Sequence, residues 1–260
     1  MRAALALRNN NVQLAATLVM VRDTEAGLEV YMTERPGGID FADLHVFPGG
    51  KVAAADDDWL LESDQRLLGQ NGSSADAALG EQQALRYWVA AIRESFEECG
   101  VLYARDANGR WLGIGARERA RFSEYREALI EQRMTLSELC AATDTVLDAS
   151  GLLYFSHWLT PEAAPRRFDT RFFLARMLPD QATAEHHREV VSGAWVAPRQ
   201  ALANAQEGQW QLISPTRITL ESLLPFASSA DLWQAVRANR HLPVLTDALR
   251  REGMCELRGS

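Results

Sequence analysis

The sequence predicts a mixed α/β domain enlarged by helical insertions. Short runs with strand character recur at 12–22, which is apolar and mostly small or β-branched, and at 28–34, 151–159, 167–177 and 190–196. Between them, residues 81–98 carry Leu85, Trp88, Val89, Ile92 and Phe96 at three- and four-residue spacing, the stripe of an amphipathic helix. The chain has 260 residues, 47% apolar and 24% charged, the balance of one large domain or of a domain with an inserted subdomain. That balance excludes a disordered tail, a collagen-like chain and a disulfide-stapled mini-domain.

The first strand, Val12 to Arg22, is followed by a turn over Asp23–Gly27 and a hairpin partner from Leu28 to Glu34. A Gly/Asp-rich loop then ends in Phe47-Pro48-Gly49-Gly50. Residues 56–80 are polar and small around Asn71-Gly72-Ser73-Ser74 and read as an exposed, partly helical insertion, with 60–78 as its excursion. Gly100 stops the central helix. Residues 115–149 carry a charged helical pattern, from Arg117 to Arg133 and from Leu136 to Leu147, and read as a second inserted unit. Two late helices are predicted at about 198–206 and 215–239. The whole of 1–260 is expected to form one domain with these two insertions.

Composition also bounds the function. A net charge of −8 argues against nucleic acid as a partner, since phosphate binders carry a basic excess. Lys51 is the one lysine among 27 basic residues, a skew that codon bias explains. Apolar stretches fall well short of the roughly 20 residues needed to span a bilayer, so no membrane partner is expected. No signal-peptide core is read at the N-terminus. Cys99, Cys140 and Cys255 are scattered and odd in number, which gives neither a disulfide framework nor a CxxC metal site. A reducing cytoplasm is the expected setting.

The chemistry is concentrated in Arg93-Glu94-Ser95-Phe96-Glu97-Glu98-Cys99-Gly100-Val101. At about 100° per residue, Glu94, Glu97 and Glu98 fall within roughly 60–100° of one another, opposite the apolar stripe. Ala90 and Ala91, one turn earlier, would leave room for a ligand. Like charges at these spacings repel mildly. Two readings follow: a solvated acidic face, or a seat for a hard divalent cation such as Mg²⁺ or Mn²⁺.

Gly50-x5-Asp56 followed by Arg93-Glu94-x-x-Glu97-Glu98-x-Gly100-Val101 resembles the Nudix hydrolase signature GX5EX7REUXEEXGU, where U is bulky and aliphatic. The REXXEEXG half is complete and is preceded by FPGG. There are departures. Between Gly50 and Arg93 lie 42 residues where the signature has 13. Asp56 stands for the first Glu, with Leu85 as the alternative counted back from the helix, and Ser95 replaces an aliphatic residue. The split box, His157-Trp158-x-Thr160-Pro161 and the run Arg166–Ala175 are similar to the nudix-type motif 19 subfamily, which is CoA diphosphatase-like. Met32-Thr33-Glu34-Arg35 with FPGG partly resembles the CoA-recognition motif of Nudix pyrophosphatases, although that motif's second Arg and its Gly have no counterpart here.

The resemblance implies a Nudix α/β/α sandwich with a mixed sheet. It implies metal-dependent hydrolysis of a small-molecule diphosphate, with CoA or acyl-CoA preferred. NADH, ADP-ribose or another nucleoside diphosphate derivative is the alternative substrate, and a non-catalytic ligand sensor the alternative class. Glu94, Glu97 and Glu98 would be the metal ligands, with the Gly49 carbonyl beside them. Arg93 would orient a carboxylate. Either Glu94 or Glu189 would be the general base, Glu189 because Glu189–Trp195 looks like the Nudix loop EVXEXXW with Ser192 for its second Glu. Arg35 and Arg167 would bind substrate, and a homodimer is left open. His186-His187 in a strand would point to opposite faces and share no ligand role. Trp195 reads as a core residue rather than a base stacker, and Cys99 as a bystander.

Overall fold

The computed structural model describes residues 12–35, 44–60, 81–162, 164–184, 192–241 and 256–257. Strands β1 (Val12–Thr24) and β2 (Gly27–Glu34) form the expected hairpin, in register from Val21↔Val30 to Thr24↔Gly27. Beyond Val21 the two strands part, and residues 45–51 fill the fork. Strand β3 (His45–Val46) pairs with β2, while β4 (Gly49–Lys51) pairs with β1, placing Gly50 across from Ala16. The Leu18 N–H donates to the Pro48 carbonyl at 2.8 Å and pins the turn between them. In the Phe-Pro-Gly-Gly segment, Phe47-Pro48 thereby make the turn between β3 and β4, and Gly49-Gly50 lie in β4 against β1.

A 3-10 turn (Ala54–Leu60) follows, then helix α1 (Glu81–Cys99), a short strand β5 (Ala104–Arg105), helices α2 (Arg119–Ile130) and α3 (Leu136–Thr143), and strand β6 (Val146–Leu147), which pairs with β5. Strands β7 (Leu152–Leu159) and β8 (Arg167–Arg176) continue the main sheet, β8 lying parallel to β1 from Val12↔Arg167 to Val21↔Arg176. Strand β9 (Ser192–Val196) adds to β2, and β10 (Glu256–Leu257) to β7. Helices α4 (Pro198–Gln206), α5 (Ser214–Leu223) and α6 (Ser229–Arg237) complete the order. One parallel pair among antiparallel ones makes the sheet mixed, as expected.

Strand alternation divides the core into two layers. Ala16, Leu18 and Met20 of β1 face α1 with Phe173 and Ala175 of β8; Val19 and Val21 face the other way with Phe172 and Leu174. The first layer is closed by α1, α2 and α3, and the second by Ala201, Ile218, Leu220, Leu223 and Leu232 of the late helices. The fold is therefore a Nudix-type α/β/α sandwich.

Three expectations need correction. The stretch 215–239 is two helices, because Pro225 lacks the N–H that would continue the first, and the Ser228 side chain caps the next by accepting from Asp231 N. Asp56 is not the start of an exposed insertion: it is 1% exposed. Ala90 and Ala91 leave no room for a ligand, since both are fully buried and let α1 lie close on the sheet. The unit 115–149 does form helices, and Phe122, Leu129, Leu136 and Leu139 share one core with α1. The excursion predicted at 60–78 falls, beyond Leu60, outside the described residues.

Candidate active site

Helix α1 is buried on all sides through its second half. Glu94 and Glu98 are 8% and 6% exposed, so the reading of a solvated acidic face fails. Buried carboxylates need partners, and Arg93 is the hub that supplies them. Its Nη1 donates to Glu94 Oε1 at 2.9 Å and to Glu97 Oε2 at 2.8 Å. Its Nε donates to Asp56 Oδ1 at 2.8 Å, and Nη2 donates to Asp56 Oδ2 at 3.1 Å and to the Lys51 carbonyl at 2.8 Å. Burial alone would depress the Arg93 pKa, but Glu94, Asp56 and Glu97 outweigh it and hold it above the ordinary arginine value. Asp56 also accepts from Ala53 N at 2.7 Å, which fixes the turn carrying it. Asp56 thus meets Arg93 as the signature's first carboxylate, and Leu85, the alternative, is a core residue.

The two glycines of β4 are dictated by close approach. Gly49 has φ +154°, and a Cβ there would strike the Ala16 carbonyl and lie 2.7 Å from Thr17 Cα. A Cβ on Gly50 would sit 2.6 Å from Glu94 Cδ, so the carboxylate rests directly on the glycine backbone. Gly49 N–H donates to Glu98 Oε2 at 3.0 Å. Strand β4 and helix α1 therefore hold each other through Gly49–Glu98, Gly50–Glu94 and Lys51–Arg93.

For a divalent cation the donors fit in kind: three carboxylates and the carbonyls of β4 are hard oxygens. Among the described residues no three ligating side chains are gathered at one point. Arg93 instead spans Glu94 and Glu97, a fixed positive charge seated where the sequence predicts a cation's ligands. When bound, Mg²⁺ or Mn²⁺ would neutralise charge developing on phosphoryl oxygens.

The structure brings Arg93, Glu94, Glu97, Glu98, Gly49 and Arg35 together. Arg35, exposed at the end of β2, donates from Nη2 to the Gly49 carbonyl at 2.8 Å. Arg167 stands apart: its Nε donates to the Thr160 carbonyl at 3.1 Å, and it begins β8 three residues before Thr170, the partner of Ala15. At about 3.3 Å per residue this puts it roughly 10 Å along the sheet from Lys51's row, and two strands over. Glu189 and His186-His187 lie outside the described residues. Trp195 packs on Tyr31 at 5.3 Å, with its Nε1 donating to Thr183 Oγ1 at 3.2 Å and the Arg22 guanidinium 4.4 Å over its ring, as a structural residue would. Cys99 is fully buried, and burial first, then Glu98, pushes its thiol pKa well up, so it stays a protonated bystander. Sequence reasoning missed Arg126 of α2, whose Nε donates to the Glu97 carbonyl at 2.8 Å. Its single signal was an Arg in the helical insertion, with nothing local to mark it.

Fold and carboxylate helix together define a Nudix domain, and comparison with known proteins agrees. The family model described as the NUDT19 Nudix domain matches residues 61–221, and the chain belongs to the Nudix family, in a NUDT19-like branch. The acyl-coenzyme A diphosphatase NUDT19 of Gallus gallus is 30% identical over 221 residues, 72% of this chain and 58% of that protein. The protein of the same name from Xenopus laevis is 25% identical over 228 residues, covering 76% and 59% of the two chains. The chain therefore spans somewhat under three fifths of these relatives' length. Among solved structures, a Nudix hydrolase from Alicyclobacillus acidocaldarius superposes with a TM-score of 0.66 at 25% identity, covering 85% of this chain and 95% of that one.

Proposed function

We propose that the protein hydrolyses CoA or an acyl-CoA at its diphosphate, water attacking one phosphorus to give 3′,5′-ADP and the (acyl-)phosphopantetheine. The observation that carries this is the intact Arg93–Glu94–Glu97–Glu98 network seated on the FPGG backbone, with Arg35 reaching the same Gly49 carbonyl. The diphosphatase names of the NUDT19 relatives supply the substrate class. A sensor module would have no need to keep all four charged positions paired, three of them buried.

In this reading Glu94, Glu97 and Glu98 hold Mg²⁺ or Mn²⁺, Arg93 keeps Glu94 and Glu97 oriented, and the Gly49 carbonyl completes the oxygen set. Glu94 or Glu189 takes the proton from the attacking water. Arg35, whose forked donors suit phosphate, exchanges the Gly49 carbonyl for the substrate's anionic groups, and Arg167 is the more distant contact. A cytoplasmic setting belongs to the same reading.

Positioning and electrostatics supply most of the acceleration in phosphoryl transfer. Glu97→Gln or Glu98→Gln should thus lower kcat by about 100-fold or more, roughly 2.7 kcal/mol of barrier. CoA should surpass dephospho-CoA in kcat/KM, and Arg35→Ala should narrow that gap. Equal kcat/KM for the two compounds would turn the assignment to NADH, ADP-ribose or a related diphosphate. Wild-type turnover by both Gln variants at saturating metal would remove the site itself.

A further inference from the structure

The acidic end of α1 has a problem that its own sequence does not solve. Glu94, Glu97 and Glu98 crowd its last turns, where the helix dipole is already negative, and the last turn contains no basic residue. The final carbonyls also lack intrahelical donors. Some are met locally: Phe96 O accepts from Gly100 N at 2.9 Å, Ser95 O from Val101 N at 3.3 Å and Cys99 O from Ala184 N at 2.8 Å. The Glu97 carbonyl is met from elsewhere, by Arg126 Nε.

Arg126 is 6% exposed, an unusual state for a guanidinium. Its Nη2 is buried without an acceptor among the described residues, and its Nη1 lies 3.4 Å from where a Cβ on Gly100 would stand. Burial depresses its pKa, while Cys99, Tyr31, Glu127 and Glu98 oppose that shift. The anchoring is deliberate in its packing. Phe122, one turn earlier on α2, meets Phe96 edge-on at 6.3 Å, and Tyr125 meets Phe122 at 5.9 Å. The aromatic contacts fix α2 against α1 and deliver the guanidinium to one backbone oxygen between two of the acids.

We propose that Arg126 is a positioning residue: through the Glu97 carbonyl, the inserted helical unit holds the last turn of α1 so that Glu97 and Glu98 are set for a divalent cation. This rests on the metal-dependent reading above. Arg126 touches neither substrate nor cation. It acts on the acids through the backbone that carries them, which makes the 115–149 unit part of the catalytic apparatus.

The test uses the full chain and reads Mn²⁺ binding by calorimetry, beside kcat and KM for CoA. Arg126→Met removes both donor and charge, Arg126→Gln keeps a neutral donor, and Arg126→Lys keeps the charge with one donor group. Arg121→Ala, on the same helix with its guanidinium over Phe122 and Tyr125, controls for general loss of packing. Arg126→Met should weaken Mn²⁺ about fivefold or more, the order of one lost hydrogen bond. It should lower kcat with KM unchanged, and Arg126→Lys should recover most of the loss. Should Arg126→Met fail to fold, Arg126→Gln decides alone: it keeps the donor and loses the charge, so affinity within about twofold of wild type supports the hydrogen bond's role and a loss of fivefold or more overturns it. Near-wild-type Mn²⁺ affinity in the Gln variant, whose amide nitrogen stands where Nε does, supports the inference; Mn²⁺ affinity within about twofold of wild type in the Met variant overturns it. So does tighter binding, which would make the guanidinium merely a charge that repels the cation. Failure of the metal-dependent reading looks different: wild type, Glu97→Gln and Glu98→Gln would then all bind Mn²⁺ equally poorly. If Mn²⁺ binds and CoA is not cleaved, only the substrate falls, and the Mn²⁺ arm still decides on Arg126.

Discussion

Helix α1 carries two polar networks, a buried one toward its C-terminal end and a half-buried one toward its N-terminal end, and they are built in opposite ways. At the C-terminal end Arg93 gathers Glu94 and Glu97 from its own helix and reaches Asp56 and the Lys51 carbonyl beside it. At the N-terminal end Tyr87 donates to Asp169 Oδ1 at 3.2 Å, across 82 positions of sequence. His157 Nε2 lies 2.7 Å from the same oxygen, and the Arg171 guanidinium sits 4.8 Å over the Tyr87 ring. The first network gathers three carboxylates around one guanidinium, an excess of hard anionic oxygen. The second sets one carboxylate among a histidine, a phenol and an arginine, and offers a divalent cation no seat. The two networks thus serve different ends: the buried one is the seat of the cation in the function proposed above, and the half-buried one ties helix to sheet.

The comparison breaks most sharply at Arg93. Replacing it with Met leaves Asp56, at 1% exposure, as a buried charge with its main partner gone. Removing one member of a buried ion pair typically costs about 3–5 kcal/mol, and we expect that loss in urea unfolding of Arg93→Met. Asp56→Ala should cost less, because Arg93 keeps Glu94, Glu97 and the Lys51 carbonyl. A loss below about 1 kcal/mol for Arg93→Met would mean that the network is replaceable and that the acids are positioned by other contacts.

These two ends also mark what the sequence could disclose. The Arg93–Glu97 pair is legible because i and i+4 face each other on one helix, whereas Glu94, at i+1, is reached by the span of the guanidinium and not by helix spacing. The FPGG turn is legible as a motif, but its seat in the fork between β1 and β2 depends on pairing that no local pattern encodes. Asp56 shows the limit: its spacing from Gly50 marks it as the box carboxylate, while its polar, small-residue neighbours mark it as exposed, and only the first was right. The runs 157–161 and 166–175 stand out in the sequence as subfamily marks, with a role read for Arg167 alone. Their role is visible only once β7 and β8 pair His157 with Arg171 and bring Asp169 beneath Tyr87. Arg126 has no local signal at all, since its acceptor is a backbone carbonyl 29 positions away.

A middle-sized effect should separate the two networks. Tyr87→Phe removes one hydrogen bond at the N-terminal end and Asp169→Asn the charge that strengthens two, and each should cost about 1–2 kcal/mol, with Mn²⁺ affinity unchanged. The Asp169 carboxyl has a pH signature as well. Burial pushes its pKa up, but the hydrogen bonds from His157 and Tyr87 and the charge of Arg171 prevail, leaving it below the ordinary value. A depressed carboxyl stabilises the fold above its unfolded pKa of about 3.9 and loses that contribution as pH falls through the folded value. The wild type should therefore lose Tm faster than Asp169→Asn between about pH 5 and pH 3. Parallel Tm curves, or a fall in Mn²⁺ affinity for either variant, would show that the two ends of α1 are not independent.

The smallest effect concerns Ser95, which lies among the acids yet belongs to neither network. It is fully buried, and its Oγ has no partner among the described residues. An unmet hydroxyl in the core costs about 1–3 kcal/mol when truly dry, and serine is also a poorer helix former than alanine by a few tenths of a kcal/mol. Against this, Ala removes one oxygen's worth of packing from a tight interface. The balance favours Ser95→Ala by about 1 kcal/mol or less, read as a small rise in the urea midpoint at constant slope. Valine, closer to the aliphatic residue usual at this position of the signature, should do no better, because its second γ carbon, beyond the one that replaces the serine oxygen, would overpack a fully buried helix flank. Mn²⁺ affinity should not move in Ser95→Ala, since the hydroxyl is no ligand and holds none. A drop in both stability and Mn²⁺ affinity would instead give Ser95 a partner in the carboxylate network and widen the site by one residue.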